Sequence, residues 1–206
     1  MPTAAALLLA AAAAGVDADI AALCGIALAI LLLLAFRDRE RSIPSLPLAL
    51  LSPIDGRFVD GSKRRDPWLQ RDSLRLSFRM PVLGMGVIRS PTEGQVREFW
   101  VRGGVGDDGD LERASSPTSY ALWIRTDEDD DVVIAVFGRP LVSRFKADAS
   151  PGERIGHGQR LGFVYFGTAV TVYAPEGSAL ADDIESRTGR AQTGGVDVLG
   201  MLPHAS

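Results

Sequence analysis

The chain has 206 residues, 26 acidic against 22 basic, and a formal charge of −4, which allows one core of ordinary size and provides no basic field for a polyanion. Its acidic run Asp127-Glu128-Asp129-Asp130-Asp131 would repel nucleic acid, so no nucleic-acid partner is expected. With one cysteine, Cys24, and two histidines, His157 and His204, an internal disulfide and a Cys-cluster metal site are excluded, and no metal centre is expected.

In chain order, the first feature is a pair of apolar runs. Residues 4–16 are rich in Ala and Leu, Asp17 and Asp19 interrupt them, and residues 20–36 follow with no charged side chain. As a helix the second run would reach roughly 26 Å, a little under the roughly 30 Å hydrocarbon thickness but enough if flanking groups snorkel. The first run is shorter and marginal for insertion alone, so the anchor is read as a transmembrane hairpin, re-entrant or helical, of both runs, or as the second helix by itself. A cleaved signal peptide is the competing reading; the lack of Lys or Arg ahead of the run argues for retention. Arg37-Asp38-Arg39-Glu40-Arg41 then puts three arginines within five residues. By the positive-inside tendency this places the rest of the chain at the cytoplasmic face of the cell (inner) membrane. Residues 1–41 are therefore read as a membrane anchor, 42–49, with Pro44 and Pro47, as a stiff linker, and 50–206 as one domain.

From Leu50 onward, short apolar segments are punctuated by Gly and Pro. Leu74-Arg75-Leu76-Ser77-Phe78 alternates strictly, and Val96–Val101 and Tyr120–Ile124 are strand-like. Val132–Phe137 is apolar throughout and predicts a strand buried on both faces. Gly103–Pro117 reads as an exposed loop, and Val196–Leu202 as a closing strand. No long amphipathic helix is evident, so the pattern predicts a mainly antiparallel β domain of sandwich or barrel type. Ser52-Pro53-Ile54-Asp55-Gly56 and Ser90-Pro91-Thr92-Glu93-Gly94 share S-P-x-[DE]-G ahead of a strand, and Ala174-Pro175-Glu176-Gly177 echoes it. Pro followed by Gly is turn chemistry, so the simplest reading is repeated hairpin geometry.

Within the domain, Arg160–Tyr173 is an apolar run interrupted by Gly167-Thr168. Its Val, Phe, Tyr and Thr content predicts one or two buried strands, with Gly167 as a bend or a point of close approach. The order F-R-D-x-x-R at Phe36–Arg41, S-P-x-D-G at Ser52–Gly56, R-S-P-x-x-G-x-V at Arg89–Val96 and G-E-x-I-x-x-G-x-R-L-G-F-x-x-F-G at Gly152–Gly167 resembles the compact branch of the phosphatidylserine decarboxylase family. That resemblance implies a β domain behind a membrane hairpin, acting on a serine phospholipid through a pyruvoyl group made by self-cleavage between a Gly and a Ser.

On the same resemblance, an Asp, a His and the cleavage-site Ser act as a set in which the His is base, the Asp orients it and the Ser hydroxyl attacks the preceding carbonyl. Asp55 matches the Asp, and Gly167-Thr168 the cleavage site, with Thr in place of Ser; Thr168 would yield a 2-oxobutanoyl group. Met85-Gly86-Val87-Ile88-Arg89 stands where V-H-V-N-R is expected, which puts Gly86 at the His position. His157, in Gly156-His157-Gly158, is read as a solvated turn residue, with a substitute base as its alternative. Asp55 without the family is a turn residue bonding its own backbone. Two function classes follow: a pyruvoyl-type carboxy-lyase of phospholipid biosynthesis with weak or lost activity, or a pseudoenzyme that binds lipid or a partner enzyme. A homo-oligomer fits either.

Overall fold

In a computed structural model of the chain, the structure describes residues 18–35, 41–80, 85–103, 118–138, 145–165 and 167–203. The run 4–16, the segment 36–40 and the loop 104–117 lie outside them. The chain divides into two compact units, Met1–Arg39 and Glu40–Ser206.

The first unit contains one described helix, α1 (Ala18–Ala35). Its large aliphatics Ile20, Leu23, Ile26, Leu28, Ile30 and Leu31 are between 40% and 66% exposed, so the helix presents apolar surface all round. The span expected over residues 20–36 is not found: among the described residues no helix is long and apolar enough to cross a membrane.

The second unit is antiparallel β. Its strands are β1 (Ala49–Leu51), β2 (Gly56–Asp66), β3 (Arg71–Arg79), β4 (Met85–Arg89), β5 (Gly94–Gly103), β6 (Thr118–Arg125), β7 (Asp131–Gly138), β8 (Phe145–Ala147), β9 (Arg154–Ile155), β10 (Arg160–Tyr165), β11 (Gly167–Pro175), β12 (Ala179–Leu180), β13 (Ala191–Gln192) and β14 (Val198–Met201). Eight form one sheet in the order β13-β2-β3-β11-β7-β6-β5-β9, while β1-β14-β12 and β4-β10-β8 form two small sheets. The stretch expected as one or two strands is two, β10 and β11, placed in different sheets. The expected closing strand is β14, which pairs with both β1 and β12.

The core follows from strand alternation. Phe58, Leu76, Phe78, Leu122, Ile124, Ile134 and Val170 project from one face of the large sheet, and Leu50, Ile88, Val164 and Leu199 of the small sheets close over it. β7 is buried on both faces as its unbroken apolar run predicts: Val132, Ile134 and Val136 enter this core, and Val133, Ala135 and Phe137 a second cluster with Trp68 and Tyr173.

The S-P-x-[DE]-G repeat is the sequence trace of a pseudo-two-fold axis. Leu51 N–H donates to the Pro91 carbonyl and Arg89 N–H to the Pro53 carbonyl, both at 2.8 Å. Ser52 N–H bonds the Asp197 carbonyl as Ser90 N–H bonds that of Gln159, and Gly195 and Gly158 donate back to Ser52 and Ser90. In both turns the Ser hydroxyl donates to the carbonyl two residues on. The large sheet repeats the relation, β13-β2-β3-β11 matching β9-β5-β6-β7, down to register shifts between Phe58 and Asp60 and between Val96 and Glu98.

Gly94 and Gly56 start equivalent strands, and each lies against a backbone carbonyl, of Arg125 and Arg79 respectively. A Cβ on Gly94 would collide with the Arg125 carbonyl, whereas one on Gly152 meets nothing within 4 Å; both residues have positive φ, 154° and 89°. Gly94→Ala is therefore expected to destabilise by about 2 kcal/mol more than Gly152→Ala. Chemical unfolding of the two variants checks this; equal losses would show that the β5–β6 approach tolerates a side chain.

Candidate functional site

Strand pairing brings three of the sequence-predicted residues to one end of the large sheet. Asp55 directly precedes β2, whose Arg57 pairs with Arg79 at the end of β3, and Arg79 pairs in turn with Ala169 of β11. β11 begins at Gly167, opposite Gly138 of β7, and its register shifts between Gly167 and Ala169. The Gly167–Thr168 peptide bond thus sits at an irregularity in the ladder, as the bend expected at Gly167 requires. Only residue 166 separates it from β10, where Val164 pairs with Gly86. Met80, one residue beyond Arg79, is at the level of this bond.

Asp55 does not bond its own turn. Arg41 grips the carboxylate with both nitrogens, Nη1 to Oδ1 at 2.6 Å and Nη2 to Oδ2, and Nη1 also donates to the Gly194 carbonyl at 2.6 Å. The Gly194 N–H completes the arrangement, donating to Oδ1 at 2.9 Å. Burial alone would push this carboxyl up, but the Arg41 hydrogen bond, the Gly194 N–H and the charges of Arg41 and Arg89 outweigh it and hold the pKa below the ordinary value. The bidentate guanidinium and the Gly194 N–H together commit the carboxylate to a structural clamp, with Arg41 in place of an imidazole as its charged partner.

At the position where the family pattern has a His, Gly86 leaves no gap. A Cβ built there would fall on Met80 Cε and lie 3.3 Å from Val164 Cγ1. Met80 is 5% exposed and also lines a pocket of about 540 Å³ with Asp55, Gly56, Arg57, Arg79 and Gln192. Its flexible thioether therefore reaches from the Asp55 pocket to the backbone of β4 and fills the volume an imidazole would need. The structure brings Asp55, Gly86 and the Gly167–Thr168 bond together, but around a methionine in place of a base.

His157 is not the solvated turn residue expected. It is half-buried, and its Nε2–H donates to the Ala49 carbonyl at 2.7 Å, tying its turn to β1. Among the described residues no His, Cys, Asp and Glu group could hold a metal ion. Three participants escaped sequence reasoning. Arg41 was read as a topology signal, although its place in F-R-D-x-x-R marked it; Met80 and the Arg57–Arg79 pair carry no motif, and only the strand register unites them.

The family model described as phosphatidylserine decarboxylase matches residues 28–196. The protein named "Phosphatidylserine decarboxylase proenzyme" of Nitrosomonas eutropha is 39% identical over 166 residues, covering 80% of this chain and 77% of that one. Its namesakes in Nitrosomonas europaea and Aromatoleum aromaticum are 37% and 35% identical, over 81% and 82% of this chain and 77% of each of theirs. No solved structure matches the chain.

The Asp55 clamp sets a pH dependence. A carboxyl whose folded pKa is depressed contributes stability that is present above its unfolded value, about 3.9, and is lost as pH falls through the lower folded value. The side chain is 59% exposed, so the contribution is screened. Wild type is expected to melt above Asp55→Asn near pH 6, and the difference to close below about pH 4. A difference that persists to pH 2 would contradict the clamp.

Proposed function

The chain belongs to the phosphatidylserine decarboxylase family, and from that premise we propose a membrane-associated protein of phospholipid metabolism whose own decarboxylation of a serine phospholipid is weak or lost. The observation that carries this reading is Met80 in the space of the missing base. A general base contributes about 10² to 10⁴-fold to a proton-transfer step, and here the imidazole is absent, its volume is filled, and the Asp that would orient it is held by Arg41. The family's pyruvoyl group does not fit these residues: residue 168 is Thr, and its extra methyl would persist as a 2-oxobutanoyl group, a more hindered ketone.

Membrane association is supported by the exposed aliphatic surface of α1, and the three arginines that follow favour the cytoplasmic face of the cell membrane for the β domain. Two pairings fit a protein that retains the family scaffold with little chemistry of its own. One is a homo-oligomer; the other is a partner enzyme of lipid metabolism, to which the chain would contribute lipid binding as a pseudoenzyme.

Restoring the catalytic pair tests the reading. Gly86→His with Thr168→Ser returns the two groups but leaves Met80 in the way, so adding Met80→Ala is expected to raise self-cleavage after Gly167 by at least about tenfold over the double variant. Fragments on a denaturing gel, with circular dichroism to confirm folding, give the readout. Equal cleavage by the double and triple variants would acquit Met80. A folded triple variant that stays whole would show that the strand ends themselves are no longer aligned for the reaction.

A further inference from the structure

One row of residues crosses the outer side of the large sheet beside the Gly167–Thr168 bond. Ala191 of β13 pairs with Arg57 of β2, Arg57 with Arg79 of β3, and Arg79 with Ala169 of β11. Directly opposed residues of antiparallel strands share a face, and like charges there destabilise the sheet. Phe58 and Phe78, the next pair along, meet edge-to-face at 5.5 Å inside the core, so the two guanidiniums project on the opposite side. They line the pocket of about 540 Å³ together with Asp55, Met80 and Gln192.

No carboxylate neutralises this pair among the described residues. Arg57 Nη1 donates to the Gly189 carbonyl at 3.3 Å, a neutral acceptor, and Asp55 is already gripped by Arg41. Ala191, the flanking residue that also lines the pocket, carries no charge, and Ala169 on the other flank is a buried apolar residue, so neither offers the arginines a counter-ion.

The pseudo-symmetry supplies an internal comparison. The equivalent row in the other half is Arg154, Gln95, Arg125 and Asp131. There Arg57 is replaced by Gln95, and Ala169 by Asp131, whose carboxylate takes Arg125 at 2.8 Å; Arg154 is paired with Asp127. The same scaffold neutralises its arginines in one half and leaves two opposed and open in the half that carries the candidate site.

We propose that Arg57 and Arg79 form an anion clamp that binds the phosphodiester of a glycerophospholipid headgroup at the mouth of the Asp55–Met80 pocket. A tetrahedral diester offers two oxygens to two guanidiniums and removes the like-charge cost of the pair. Free phosphate presents the same chemistry, and only the choice of lipid headgroup over free phosphate rests on the function proposed above. Held there, the headgroup lies beside residue 168, with Met80 as the apolar wall.

The test is calorimetric titration of the full chain in nonionic detergent with sn-glycero-3-phosphoserine, inorganic phosphate and L-serine in turn. The diester is expected to bind saturably and more tightly than inorganic phosphate, and L-serine to give no saturable heat. Arg57→Gln and Arg79→Gln are each expected to weaken diester binding by about tenfold or more. Arg64→Gln, the same charge change at an exposed position towards the far end of β2, is expected to leave it unchanged. Both clamp substitutions relieve a repulsion and keep the fold, which a melting temperature without ligand at or above that of wild type verifies. Absence of diester binding, or full binding by the Arg57→Gln/Arg79→Gln double variant, overturns the clamp; phosphate binding as tight as the diester's overturns the headgroup assignment. The titration reads binding whether or not residue 168 has reacted, so it can fail while the decarboxylase-family reading stands, and the reverse.

Discussion

A single side chain's worth of space, shared between Gly86 and Met80, determines what the rest of the site can do. β4 and β10 carry residue 86 to the end of the sheet where Asp55 and the Gly167–Thr168 bond also arrive. The side chain in that volume touches residue 86 and lines one pocket with Asp55. Here the occupant is a thioether, apolar and without a proton to exchange. With no imidazole to orient, Asp55 turns to Arg41 and Gly194, and becomes the bond that ties the chain's entry into the domain to its last turn.

The two pseudo-symmetric halves show how such a site arises in one scaffold. Both begin with a buried Ser capping its own turn and a Gly pressed against the neighbouring strand, because that geometry closes the core at each end. One difference lies in a single row of the large sheet. Where the second half has Asp131 to neutralise Arg125, the first has Ala169, the residue after Thr168, and so no carboxylate opposite Arg79.

Much of the fold was legible in the sequence because its cause is local. Val132–Phe137 announces a strand buried on both faces through an unbroken apolar run, and Leu74–Phe78 a half-buried one through alternation. The division of residues 160–173 between two sheets was less legible, since apolar character continues through both strands while the strands β10 and β11 pair with different partners. Gly167 was its only mark. Arg41 was misread for a related reason: beside an apolar run an arginine reads as a topology signal, and the contacts that define it, to Asp55 and to Gly194, lie 14 and 153 residues away. A lone Met80 reads as generic core, and Arg57 and Arg79 as solvated charge, until register sets them opposite one another.

The central claim is that this scaffold no longer cuts itself. The intact mass of the purified chain, without prior exposure to amines, measures it most directly. The account predicts one species at the 22.0 kDa of the full sequence, with residue 168 an ordinary threonine. Two fragments divided after Gly167, the C-terminal one blocked to amine sequencing and trapped by borohydride once an amine is added, would contradict it.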